Sequence, residues 1–104
     1  MIFIETPIFT ADVKDHLDDE EYRALQQHLA DHPESGVLIE NTGGLRKVRW
    51  AARGKGKSGG VRVIYYYLCL SYQIRMLLIY RKGIMDSLTD KQKAQLRAIN
   101  EGWK

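Results

Sequence analysis

Val61-Arg62-Val63-Ile64-Tyr65-Tyr66-Tyr67-Leu68-Cys69-Leu70 is the stretch that decides the fold. β-branched and aromatic side chains dominate it, and they pack well on a pleated surface, so it reads as a strand. A strand apolar at nearly every position has no bare face for solvent, which predicts a central place in a sheet. Cys69, inside this run, is expected in the core rather than as a nucleophile. The next run, Tyr72–Lys82, alternates: Ile74, Met76, Leu78 and Tyr80 are expected on one face, with Gln73, Arg75, Leu77, Ile79 and Arg81 opposite. Upstream, Leu45–Ala51 alternates too, setting Val48 and Trp50 against Lys47 and Arg49. A glycine-lysine loop, Arg53-Gly54-Lys55-Gly56-Lys57-Ser58-Gly59-Gly60, joins these strands.

Working outward, Ile2–Ile4 is short, β-branched and stopped by Pro7, which predicts a first strand, and Phe9–Leu17 predicts a short helix. Asp18 is a good N-cap, with Glu21 three residues on to complete a capping box. Tyr22, Leu25 and Leu29 then recur at helical spacing, so Asp19–Asp31 predicts an amphipathic helix ending before His32-Pro33. Asn41-Thr42-Gly43-Gly44 is turn chemistry. Thr89 with Gln92 makes a second capping box, and Leu96, Ile99 and Trp103 give a last helix its apolar stripe. The order β-α-α-β-β-β-α predicts one α+β domain over residues 1–104. It would have a small, mostly antiparallel four-stranded sheet, two N-terminal helices and a C-terminal helix.

The net charge of +3 conceals a sharp division. Residues 1–40 hold ten acids against two bases, Lys14 and Arg23; residues 41–85 hold ten bases and no acid. The bases are Arg46, Lys47, Arg49, Arg53, Lys55, Lys57, Arg62, Arg75, Arg81 and Lys82. A basic segment with no internal neutralisation is the footprint of a polyanion, with RNA or DNA leading. No run approaches the roughly 18 to 20 apolar residues that cross a bilayer. The N-terminal residues lack the features of a signal peptide, and the lone Cys69 fits a reducing compartment. A cytoplasmic protein with no membrane association is therefore expected.

Within the basic segment the loop glycines allow close approach to an anion, and the lysines supply charge. Gly56-Lys57-Ser58 resembles the end of a Walker A motif. Its leading glycine is replaced by Ala51, however, and the segment lies between strands, so a P-loop is not expected. Arg62 opens the most apolar strand, where charge is costly unless it has a task. If the three strands are neighbours, Lys47, Arg49, Arg62 and Arg81-Lys82 can converge beside the loop, bind a phosphate and stabilise transition-state charge. Tyr65, Tyr66, Tyr67 and Tyr80 can stack a splayed base, although alternation sends at least one of the consecutive three into the core. His16, His28 and His32 all lie in the acidic part and read as helix-surface residues. Neither zinc-ligand spacing nor a carboxylate to hold magnesium occurs in the basic segment, so neither metal nor cofactor is expected.

Gly43-Gly44-Leu45-Arg46-Lys47-Val48-Arg49, the glycine-lysine loop and Arg62-Val63-Ile64-Tyr65-Tyr66 together resemble the HigB branch of RelE-like toxins. Ile79-Tyr80-Arg81-Lys82, Asp18-Asp19-Glu20-Glu21-Tyr22, Gly36 and the C-terminal helix extend the likeness over nearly the whole chain. The resemblance implies a RelE-like α+β fold and a toxin of a type II toxin–antitoxin system, silenced by a cognate antitoxin. It implies a ribosome-dependent endoribonuclease that cleaves messenger RNA in the A site, by 2′-hydroxyl attack and without metal. By position, Lys47 and Arg49 match the family's basic pair, Arg62 the arginine that stabilises the phosphorane, and Lys82 the basic residue ending the last strand. Lys55 and Lys57, with Arg46, Arg53 and Tyr65, are expected to bind RNA or the ribosome. Departures are Gly83-Ile84, where relatives often carry Asn-Glu, Arg81 in place of a small residue, and no counterpart of a C-terminal tyrosine. They leave the general acid open among Tyr80, Arg81 and Lys82.

Two further readings stand beside the nuclease. One is a non-catalytic ribosome- or RNA-binding translation inhibitor, a degenerate toxin. The other is a DNA-binding regulator, which the lack of a clear helix-turn-helix disfavours. Operator DNA would be contacted only by a toxin–antitoxin complex.

Overall fold

The computed structural model describes residues 1–52, 60–84 and 87–103. Its elements are β1 (Ile2–Glu5), α1 (Pro7–His16), α2 (Asp19–Asp31), β2 (Val37–Leu38), β3 (Arg46–Trp50), β4 (Val61–Leu68), a 3-10 turn (Cys69–Ser71), β5 (Gln73–Arg81) and α3 (Asp90–Glu101). They form one five-stranded sheet in the order β1-β5-β4-β3-β2. This corrects the expected four-stranded sheet: the sheet is mixed, with β1 parallel to β5 and the remaining pairs antiparallel. The strand missing from the sequence reading is β2. It has only two residues, both exposed, so it carries no alternation to detect. β4, the apolar strand, does lie in the centre.

Two helix starts rest on local chemistry. Asp18 and Glu21 make the reciprocal capping box of α2, and Thr89 and Gln92 that of α3. Helix α1 begins at Pro7, two residues earlier than the expected Phe9, because Thr6 is its N-cap and proline is tolerated where a helix N–H has no partner. Among the described residues no helix is long and apolar enough to cross a membrane.

The sheet buries both faces. Beneath α1 and α2, Phe9, Val13, Leu25 and Leu29 pack on Val48, Val61, Val63, Tyr65, Ile74, Met76 and Ile79. On the other face Leu96 of α3 packs with Leu45, Ile64, Leu77 and Tyr80. The expected stripe of α3 is incomplete, since Ile99 stays about half exposed. The far end of α3 is pinned by Arg75, which donates to the Asn100 carbonyl and side chain at 3.1 and 3.2 Å and lies over the Tyr66 and Trp103 rings.

A bulge in β5 corrects the expected alternation. Ile64 pairs with Leu78 but Tyr65 pairs with Met76, so Leu77 is an extra residue. Ile74 and Met76 face the α1–α2 layer, whereas Leu77, Leu78 and Tyr80 pack on the α3 side and Ile79 returns beneath the helices. Thr6 supports this irregularity from β1's end. Its N–H donates to Met76 O at 3.0 Å and its buried hydroxyl to Leu77 O at 2.8 Å, while accepting from Phe9 N–H. Cys69 is also corrected: β4 ends at Leu68, and the thiol is exposed in the turn that follows.

Candidate functional site

β3, β4 and β5 are neighbours, so the condition for converging their basic residues is met. Arg49 pairs with Arg62, and Arg62 with Tyr80, in one line across three strands. Directly paired residues share a face, and here it is the α3 side of the sheet, where Tyr80 packs. Lys47, two residues before Arg49, pairs with Ile64 and takes the same face. Strands lie about 4.8 Å apart and alternate residues about 6.6 Å, so the Cα atoms of Lys47, Arg49 and Arg62 lie within roughly 10 Å of one another on this face.

Sequence and geometry explain the line. Arg49 and Arg62 face one another because the β3–β4 register is set where Gly60 passes Trp50. A Cβ at Gly60 would lie 2.1 Å from Trp50 O, so only glycine allows that approach. Tyr80 faces Arg62 because of the Leu77 bulge; an unbroken register from Tyr65–Met76 would have put Ile79 there. Bulges re-aim side chains in this way.

Arg62 is only 8% exposed, and its guanidinium donates to Val61 O at 3.3 Å. Tyr80 is 6% exposed. Burial pushes its phenol above the usual tyrosine pKa, and the neighbouring Arg62 charge pulls it partly back. Like charges paired directly across a ladder are destabilising.

Other expected residues lie elsewhere. Arg46 falls on the α1–α2 side with Val48, where it donates to Glu34 O and Gly36 O at 3.1 and 2.8 Å and pairs with the Glu34 carboxylate at 3.6 Å. Tyr65 is fully buried on that side; its hydroxyl donates to Pro33 O at 2.8 Å and accepts from Gly36 N–H at 2.9 Å. Arg81 pairs with Val61, so it also shares the α1–α2 face, exposed at its edge. Lys82 follows the strand, its N–H bonded to Gly60 O. Arg53, Lys55 and Lys57 lie outside the described residues.

Two residues were missed. Lys93 of α3 lines a recess of about 190 Å³ with Lys47, Ser87 and Leu88, and so adds a cation beside Lys47. His28 shares a recess of about 620 Å³ with Ser35, Lys47 and Arg49 at the open edge of β3. His28 is not a plain surface residue: its Nε2 lies 3.1 Å from Ser35 Oγ and its ring 5.2 Å from Trp50. Neither position carried a sequence signal, because both depend on where helices land. Among the described residues no three His, Cys, Asp or Glu side chains are grouped to hold a metal ion. Searched against models of known protein families, the chain matches none.

Proposed function

We propose that this chain is a cytoplasmic toxin of a type II toxin–antitoxin system, a ribosome-dependent endoribonuclease of the HigB kind. The observation that carries the reading is the Arg49–Arg62–Tyr80 line with Lys47 beside it, in a segment free of carboxylates. In the proposed step the 2′-hydroxyl of the message attacks the adjacent phosphorus. The P–O5′ bond breaks, giving a cyclic phosphate and a 5′-hydroxyl, with one proton lost at O2′ and one gained at O5′. Arg62 and Arg49 would stabilise the extra negative charge of the phosphorane, and Lys47 is the candidate for the proton at O2′. Tyr80, held protonated by burial, belongs on the donor side, toward O5′. The ribosome orders the strand, and an antitoxin holds the protein silent between uses; operator DNA enters only through that complex.

The test is a bacterial cell-free translation reaction with message ends mapped by primer extension. Wild-type protein is expected to cut within translated codons, only when ribosomes are present. Arg62→Ala should lower cutting by about 10²- to 10³-fold, the usual effect of losing one preorganised charge-stabilising donor. Since Arg62 is buried, the exposed Arg49→Ala serves as the second variant, with melting curves for both. Arrest of synthesis with intact message would replace the nuclease with the non-catalytic inhibitor.

A further inference from the structure

We infer that the basic face grips the sugar–phosphate backbone of a nucleic acid and does not read its bases, an inference that rests on the polyanion reading above. Contact with single-stranded bases runs mainly through accessible aromatic faces, each stacked base contributing about 1–3 kcal/mol. The chain's two Phe, two Trp and six Tyr all fall within the described residues, and His28, whose ring could also stack a base and which shares a recess with Lys47 and Arg49, packs its ring against Trp50 and His32 at 5.2 and 5.6 Å. Phe3, Phe9, Tyr22, Trp50, Tyr65 and Tyr67 pack beneath α1 and α2, across the sheet from Arg62. Tyr66 and Trp103 hold the Arg75 guanidinium at 5.7 and 5.3 Å from their ring centroids. Tyr80 stands in the basic line but is 6% exposed, which leaves no ring face for a base.

Only Tyr72 is well exposed, at 56%. It lies in the turn past the end of β4, whereas Arg62 lies at its start. Leu68 is six residue steps along the strand from Arg62, about 20 Å, so a base on Tyr72 is remote from the basic residues at the other end. What the face offers a strand is spaced positive charge: Lys47 and Arg49 along β3, Arg62 across from them, Lys93 at the side. Any preference for particular codons would then come from how the ribosome presents the message.

The experiment is fluorescence anisotropy with the purified full-length chain and labelled strands of about twelve nucleotides. The probes are 2′-O-methyl oligo-A, oligo-U and oligo-C, which resist cleavage, and an oligomer of abasic deoxyribose phosphates of equal length. All four Kd values are expected to agree within about fivefold, the equivalent of the smallest stacking contribution. Each should weaken by roughly 15- to 20-fold or more from 50 to 200 mM salt, as three or more neutralised phosphates require. Lys47→Ala with Arg49→Ala should weaken all four alike. Tyr72→Asn, which suits the left-handed backbone there (φ 50°), should change none. A base-bearing strand that binds more than about fivefold tighter than the abasic one overturns the inference, as does a comparable loss in Tyr72→Asn. Failure of all four probes to bind at low salt overturns the polyanion reading itself, and the inference with it.

Discussion

Replacing Tyr65 with phenylalanine removes one buried oxygen and separates two roles for that residue. As the structure has it, the hydroxyl bonds Pro33 O and Gly36 N–H, the two ends of the connection from α2 to β2. The Gly36 amide is buried, so phenylalanine leaves it without its acceptor at a cost of about 1–3 kcal/mol. The Pro33 carbonyl is partly exposed and can turn to water, adding about 0.5–1.5 kcal/mol. The sum is about 1.5–4.5 kcal/mol. At about 4–8 °C per kcal/mol for a domain near this size, Tm should fall by at least about 6 °C. Thermal melting followed by circular dichroism reads this directly, with anisotropy on the same 2′-O-methyl strands as the second measurement. A ring used for stacking bases would survive the change to phenylalanine, and stability would stay within about 2 °C. That outcome refutes the assignment of Tyr65 as a pin. A fall in Tm with RNA affinity retained supports it.

Thr6→Val removes both an N-cap and the hydroxyl that satisfies Leu77 O at the bulge; the expected loss is about 2–4 kcal/mol by urea unfolding, with Thr6→Ser retaining most of the stability. In alkali, Tyr22, Tyr65 and Tyr80 act together, because burial raises all three phenols above their usual value of 10.0. The folded chain therefore holds these protons more tightly than the unfolded one. Their contribution is complete below about pH 10 and is lost as pH rises further, by up to about 1.4 kcal/mol per unit for each tyrosine. Urea midpoints should be level to about pH 9 and fall steeply above about pH 10, less steeply in Tyr65→Phe; a pH-independent midpoint would refute the linkage.

How much of this was legible in the sequence depended on how local the signal was. The capping boxes at Asp18 and Thr89 lie within four consecutive residues each, and both helices begin where they say. Lys47 and Arg49 could be placed on one face because β3 is short and regular. The same alternation puts Arg46 with Val48, so its departure from the basic face was available from residue spacing alone. Tyr80 was different. An extra residue in β5 reverses the parity of everything after it, and nothing in Met76-Leu77-Leu78-Ile79 marks which leucine is extra. Tyr65 was misjudged because residue type and strand position do not say that a hydroxyl will meet two backbone groups of a distant connection. Cys69 was misplaced by two residues of strand length, since an apolar run does not announce where its ladder stops.

The distribution of charge through the layers bears on how the face would work. Exposed acids such as Asp15, Asp19 and Glu20 ride on α1 and α2, which cover one side of the sheet. Lys47, Arg49, Arg62 and Lys93 belong to the other side or its edge. A helix layer and a sheet together are thicker than the Debye length of about 8 Å at physiological salt. Exposed acids separated from exposed cations such as Arg49 by more than this length of solvent are largely screened from them, so the net charge of +3 understates the local field on the basic side. At a distance, and at low salt where screening reaches about 30 Å, the two layers act as a dipole that turns the basic side toward a polyanion and the acidic side away. If the face binds a polyanion as proposed, acids on α1 and α2 would orient the encounter without touching the strand and so act on association rate, while Arg49 and Arg62 would act on how long the strand stays.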